Sequence, residues 1–375
     1  MSKAADLANL IGNINAGGGG VNRNVIINGA MNVAQRGTSF TSVGASSTQY
    51  TLDRFMWQTG NSAGRLTATQ DSSAPEGFAN SLKFACTTAD TSIAAGEYGI
   101  IQQPIEGQNL QHFAKGTSNA KPYAVSFYVK GNASATYVCE LWDNDTSGNR
   151  QISKTFNVTT DWTRVELSFP ADTTGALDDD NNSSFLFNIW LHGGSTYTGG
   201  TLNSSAWASL TSANRAAGIS SFFDSTDRTF FLTGVQLEVG QNPTEFEHEP
   251  FQTTFEKCLR YTRRLPAKDS TSGDGYNGLG SGGKNDSTTL NHTYVYMEPT
   301  MRDDPAVESQ SGSFRIHHAN AATAVSASIS IEDNLSGSSH VCLLCTVGSG
   351  LTAGQAALCG QNNDADAHVI IESEL

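Results

Sequence analysis

The sequence predicts an all-β protein: an antiparallel β-sandwich, entered through a short N-terminal helix and followed by a small C-terminal β domain. Three observations point there. The composition is only 15% charged and 38% hydrophobic, and much of the remainder is Gly, Ser, Thr and Asn. Those residues suit strand surfaces and tight turns rather than a helical bundle. Several segments alternate polar and apolar residues at period two. Turn clusters separate them with no helical pattern between, which favours antiparallel neighbours.

The elements follow in chain order. Residues 3–14, KAADLANLIGNI, place Leu7, Leu10, Ile11 and Ile14 on one helical face. A helix of about three turns is marginal alone in water, so this stripe reads as an anchor for a partner. Four glycines at 17–20 make a hinge. The body spans 22–250. Its strand candidates are 123–130 (YAVSFYVK), 135–142 (ATYVCELW), 163–169 (TRVELSF, ended by Pro170), 184–192 (SFLFNIWLH) and 228–238 (RTFFLTGVQLE). From Pro250 the pattern turns helical, with Phe251, Phe255, Cys258 and Leu259 on one face, which predicts a connector helix over 251–265. Residues 266–375 read as a second β unit, with strands at 293–297, 313–317, 324–332, 340–347 and 367–372.

Charge and cysteines exclude several functions. The net charge of −14 lacks the basic face that phosphate attraction needs, which argues against nucleic acid. The second unit carries four Lys or Arg against 13 Asp or Glu, so neutral glycan, protein or an ion bridge suits it better than an anionic glycan. No segment approaches the ~20 apolar residues of a membrane span, and no leader peptide is visible. The sequence implies folding in a cytoplasm without membrane insertion. Of six cysteines only Cys342 and Cys345 are close, and residues three apart on a strand face opposite ways. Free buried thiols are the reading.

Five segments carry a resemblance: NVIINGAMNVAQRG (24–37), YTLDRF (50–55), IQQPIEG (101–107) with NAKPYAVSFYVK (119–130), FLTGVQLEVGQNPTEFEHEP (231–250) and CLRY (258–261). In this order and spacing, over nearly 240 residues, the chain resembles a domain recurrent in phage tail-fibre and related virion proteins. The resemblance implies a jelly-roll sandwich like those of carbohydrate-binding modules, a virion component, commonly a homotrimer, and a distal tip after CLRY. It implies docking to tail or baseplate proteins through the N-terminus and attachment to a host-surface glycan or protein. A capsid fibre or decoration protein is the alternative within the virion. Related jelly rolls often carry an acid before the closing strand for structural calcium; here Thr233 and Gly234 stand there, which puts that site in doubt, and Glu249 stands where relatives often have Arg. Physically, Asn28-Gly29 reads as a hairpin turn, Asp53 and Arg54 as a partly buried ion pair, and Val235 and Leu237 as core residues of the closing strand.

No catalytic constellation, cofactor or metal site is expected. Asp178–Asp180 reads as a solvated turn. Glu140 and Glu166 would have to face each other across a cleft for glycoside cleavage, the requirement of a polysaccharide depolymerase, the remaining alternative. His317 and His318 are adjacent on a strand and so point apart. Sugar binding needs aromatic platforms beside hydrogen-bonding groups. The candidates are Trp142 with Asp143 and Asn144, and Trp190 with His192 and Tyr197, weighed against the tendency of large aromatics on alternating strands to be buried.

Overall fold

In the computed structural model, residues 3–4, 22–145, 149–266, 277–319 and 321–375 are described. The stripe of Leu7, Leu10, Ile11 and Ile14 and the glycine hinge lie outside them. The chain divides into two compact units, one running to Thr254 and including Leu375, the other Phe255–Glu374.

The first unit is a sandwich of thirteen strands: β1 (Ser39–Val43), β2 (Thr48–Tyr50), β3 (Met56–Gly60), β4 (Arg65–Asp71), β5 (Ser81–Thr88), β6 (Tyr98–Glu106), β7 (Tyr123–Gly131), β8 (Ala135–Asp143), β9 (Arg150–Val158), β10 (Thr163–Phe169), β11 (Ser183–Gly193), β12 (Ala208–Ser209) and β13 (Thr229–Val239). A six-stranded sheet has the order β1-β4-β5-β13-β7-β10, and a seven-stranded sheet the order β12-β9-β8-β11-β6-β3-β2. Neighbouring strands pair antiparallel throughout. The period-two pattern fixes which side chains go inward, because a one-residue slip would turn every apolar side chain to water. Tyr123, Val125, Phe127 and Val129 of β7 meet Phe185, Phe187 and Ile189 of β11 in one continuous core. Trp57 anchors it, edge-on to Phe84 and Phe223.

The residues before β1 depart from expectation. No hairpin forms around Asn28-Gly29; residues 22–34 are coil and turn. Asn28 and Met31 have positive φ of 61° and 58°, and the Asn28 side chain does the work of a strand partner. Its amide accepts from Val33 N and donates to the carbonyls of Val33 and Asp53, each at 3.0 Å.

The second unit holds three small antiparallel sheets around its own core. Here β14 (Thr262–Leu265), β15 (Gly282–Asn285), β16 (Leu290–Tyr296), β17 (Ala306–Ser311), β18 (Phe314–His318), β19 (Ala321–Ala324), β20 (Ser330–Ile331), β21 (His340–Thr346), β22 (Ala357–Gln361) and β23 (His368–Glu372) follow one another. Two expectations shift. The helix ends at Leu259, and residues 262–265 become β14, paired with β23. The strand expected over 324–332 is instead the end of β19, the two-residue β20 and irregular chain. β-branched and small residues there gave a strand-like pattern without a long partner strand to pair with.

Among the described residues no helix is long and apolar enough to cross a membrane. All six cysteines are free and buried.

Candidate functional site

The outward face of the seven-stranded sheet gathers most of the polar chemistry of the sandwich. Register puts Ser153 of β9, Glu140 of β8, Asn188 of β11 and Gln102 of β6 side by side in one row across four strands. All four are buried, Ser153, Glu140 and Asn188 completely. They are buried because the chain between β11 and β13 folds back over them. A short helix at Ser195–Thr198 and a 3-10 turn at Ser212–Asn214 carry Tyr197, Leu202, Ala216 and Ile219 against Ile100, Val138 and Trp190.

Arg215 is the centre of this cover. Its Nε and Nη2 donate to the two oxygens of Glu140, both at 2.8 Å. Its guanidinium lies 4.4 Å from the Trp142 ring centre and 4.8 Å from that of Trp190, so charge, fork geometry and two aromatic faces hold it together. Trp190 Nε1 and Asn188 Nδ2 also donate to Glu140, at 2.8 and 2.9 Å. Gln102 completes the row by donating to Asn188 at 2.7 Å.

Of the six sequence candidates for sugar binding, four share this face. Trp142, Trp190 and His192 point to it, and Tyr197 packs on Trp190 from the covering loop at 5.3 Å. Trp190 and His192 are fully buried, so neither offers an open ring. Asp143 points the other way, as the residue after Trp142 on a strand must. It is fully buried and ion-paired with Lys115, which also meets Asp172 at 3.2 Å. Asn144 sits past the strand end, its amide donating to the Ser184 carbonyl. Among the described residues, Trp142 Nε1 and Gln151 Nε2 on the outward face are buried without a hydrogen-bond partner, and the register sets Trp142 directly opposite Gln151.

At the far end of β11 the face closes on His192, with Asp90 from the loop after β5 and Glu97 at the start of β6. His192 Nδ1 meets Ser221 Oγ at 2.8 Å and its Nε2 lies 3.3 Å from Glu97 Oε2. Asp90 Oδ2 accepts from Ser62 Oγ at 2.9 Å and from Ala63 N at 2.8 Å. Burial pushes the imidazole below its ordinary value of 6.5, partly offset by Glu97 and Asp90. Burial pushes the Asp90 carboxyl up, but its hydrogen bonds to Ser62 and the Ala63 and Gly64 amides, with the nearby His192, together outweigh that and leave it lowered.

The other singled-out residues disperse. Glu140 and Glu166 lie on different sheets and both turn outward, away from each other, so they face no common cleft. Glu166 pairs with Arg164 instead, at 2.6 Å. Asp180 caps its own turn by accepting from the Asn182 amide at 3.0 Å. His318 bonds Thr323 at 2.9 Å, while Arg315 donates to His317 at 3.3 Å. Thr233 donates to the Asn80 carbonyl at 2.8 Å, and Gly234 forms the bulge of β13 with φ of 62°. A side chain at Gly234 would strike Phe78 and Tyr128 at 2.8 Å. Arg215, Asn188, Gln102, Asp90 and Glu97 were not foreseen. Arg215 and Asp90 sit in loops without periodicity, and only the fold brings them to the sheet.

No protein-family model and no curated protein matches this chain. Solved structures similar to it include a CBM4 module, with TM-score 0.29 and 13% identity over 56% of this chain and 97% of that one. A family 11 carbohydrate-binding module from Clostridium thermocellum, in complex with a β-1,3-1,4-mixed-linked tetrasaccharide, gives TM-score 0.27 and 13% identity over 56% and 98%. The enzymatically active domain of tailspike protein 4 of bacteriophage CBA120 gives TM-score 0.27 and 11% identity over 58% of this chain and 21% of that one. At such identities the likeness concerns the fold alone.

Proposed function

We propose that the chain is a non-enzymatic structural protein of a bacteriophage particle, a homotrimeric tail-fibre subunit that displays its sandwich for attachment to a host-surface glycan or protein. The observation that carries this reading is where the motif segments go. Four of the five, far apart in sequence, close into one clamp. Val25 N donates to Leu237 O at 3.0 Å and Val235 N to Gly29 O at 2.9 Å, which ties the first segment to the closing strand. A Cβ on Gly29 would sit 2.1 Å from Val235 O, so only glycine allows the approach. Ile27 N donates to Gln103 Oε1 at 2.8 Å, and Gln103 Nε2 returns a bond to Ile27 O at 3.0 Å. Gln35 donates to both oxygens of Asp53, from its backbone N at 2.7 Å and its Nε2 at 2.6 Å. Arg54 Nη2 donates to Pro104 O at 2.6 Å. The Glu247 carboxylate gathers the amides of Asn22, Arg23 and Asn24 at 2.7–3.0 Å. The motifs that resemble tail-fibre proteins thus have one shared structural task, fastening the chain's entry to the sandwich, which suits a display domain hung from an anchor.

Glycan contact is assigned to the Trp142 end of the seven-stranded sheet, because the Trp142 ring is only half-buried there, whereas Trp190 and His192 are enclosed. Gold-labelled antibody to the purified chain tests the reading on intact particles: label on tail fibres supports it, label on the capsid favours the decoration role, and unlabelled particles overturn it. A mass in solution equal to one chain at micromolar concentration would remove the trimer.

A further inference from the structure

We propose that His192, Glu97 and Asp90 form a binding site for one divalent transition-metal ion of the zinc class. The site goes beyond glycan display and belongs to the stability of the sandwich end. One nitrogen donor and two carboxylates, all three residues buried, have ligand atoms within 4.8 Å of one another. The spacing of His192 Nε2 and Glu97 Oε2, 3.3 Å, is long for a charge-assisted hydrogen bond, ~2.7–2.9 Å. It matches the ~3.3 Å edge of a tetrahedron with bonds of about 2.0–2.1 Å. Asp90, within 4.8 Å of both, supplies the third corner, and the fourth is left to water.

Two further observations point to a cation. Asp90 and Glu97 are 6% and 5% exposed, and neither pairs with a Lys or Arg among the described residues. Buried carboxylates are ordinarily compensated by a basic side chain or a metal. The ligands are also held from behind in the manner of a metal site. Ser221 Oγ contacts Nδ1 and thereby directs Nε2 inward, and Ser62 Oγ and the Ala63 amide fix the Asp90 carboxylate in place. Phe223 stands edge-on to the imidazole at 5.2 Å and shields it. The mixed nitrogen and oxygen set favours zinc or manganese over calcium or magnesium, which take oxygen alone. A bound ion would tie the loop after β5, the start of β6 and the end of β11 to one point.

The test uses the full chain, stripped with chelator and titrated with Zn²⁺, Mn²⁺ and Ca²⁺ by calorimetry and by thermal melting. The expected result is one Zn²⁺ per chain with a raised melting temperature, and at least a ~10-fold weaker affinity in E97Q, D90N and H192Q. S221A should weaken binding by a smaller factor. Should H192Q fail to fold, E97Q carries the test, because its amide still accepts from the imidazole in the metal-free protein. The proposal falls if stripped wild-type protein binds no zinc and its melting is unmoved, which would leave a metal-free hydrogen-bonded triad. It falls equally if the variants bind as wild type does, or if calcium alone binds.

Discussion

Glu140, mid-sheet, and the pair Asp90 and Glu97, at the His192 end, are buried carboxylates of one sandwich, and their charge is balanced by different means. Glu140 has a bidentate Arg215 and two neutral donors, Trp190 and Asn188. Among the described residues, Asp90 and Glu97 have hydroxyl, amide and imidazole groups only. The first site is complete within the chain. The second is arranged with the same care for orientation and is short of positive charge. On the reading proposed above, the first charge serves packing and the second takes a cation.

The largest test breaks the complete site. Arg215→Ala strands a fully buried carboxylate, which costs about 3–5 kcal/mol, read as a lower midpoint in urea. Replacing Glu140 and Arg215 together by apolar residues of similar size should restore much of it, since the penalty comes from the unpaired charge rather than from loss of the pair. A double variant no more stable than R215A would show that the guanidinium acts by filling space between Trp142 and Trp190.

The incomplete site should respond to pH instead. Burial depresses the His192 pKa in the folded chain, so the unfolded chain binds the proton more readily below 6.5. The stability present above that value is then lost as pH falls through the folded pKa. Metal-free protein should show this decline in its melting temperature, and H192Q should flatten it. A smaller effect follows for Glu97→Gln without metal: a desolvated charge is removed while the acceptor for His192 Nε2 remains, so stability stays within about 1 kcal/mol of wild type or rises. A loss as large as that of R215A would mean that a counter-charge is already present at this end.

The sandwich was legible because its long strands alternate at period two on either side of the β13 bulge. All five strand segments named in the body lie where the alternation put them, and Val235 and Leu237 are fully buried as the pattern required. The clamp was legible as motif but not as shape. NVIINGAMNVAQRG alternates like a strand, yet Asn28 bonds its own neighbours and the positive φ of Asn28 and Met31 breaks the extension. The aromatic candidates lie at different depths, Trp142 half-buried and Trp190 enclosed. Trp190 and His192 do lie among hydrogen-bonding groups, but a covering loop with no periodicity hides them, and no local signal says that Arg215 will reach across to Glu140. Asp143 was grouped with Trp142 by adjacency, although adjacency on a strand separates side chains. The second unit shows the limit of short patterns: strands of four to seven residues and a two-residue pairing leave too little alternation to fix their ends.

The smallest expected effect sharpens the contrast from the ligand's side. Trp142 Nε1 is a buried donor with no acceptor, and an unmet donor of this kind carries a desolvation cost of about 1–3 kcal/mol. Trp142→Phe removes the donor along with part of the ring. The lost packing against Arg215 and the relieved desolvation act in opposite directions, so stability should change by less than about 1 kcal/mol. Binding should not be neutral. If the half-buried Trp142 ring receives glycan, W142F lowers affinity for whichever glycan an array of neutral oligosaccharides shows the wild type to bind, while its melting temperature holds. Equal affinity in the two proteins would move the glycan site off this face, and a collapse in stability would show that the indole N–H has a structural partner after all.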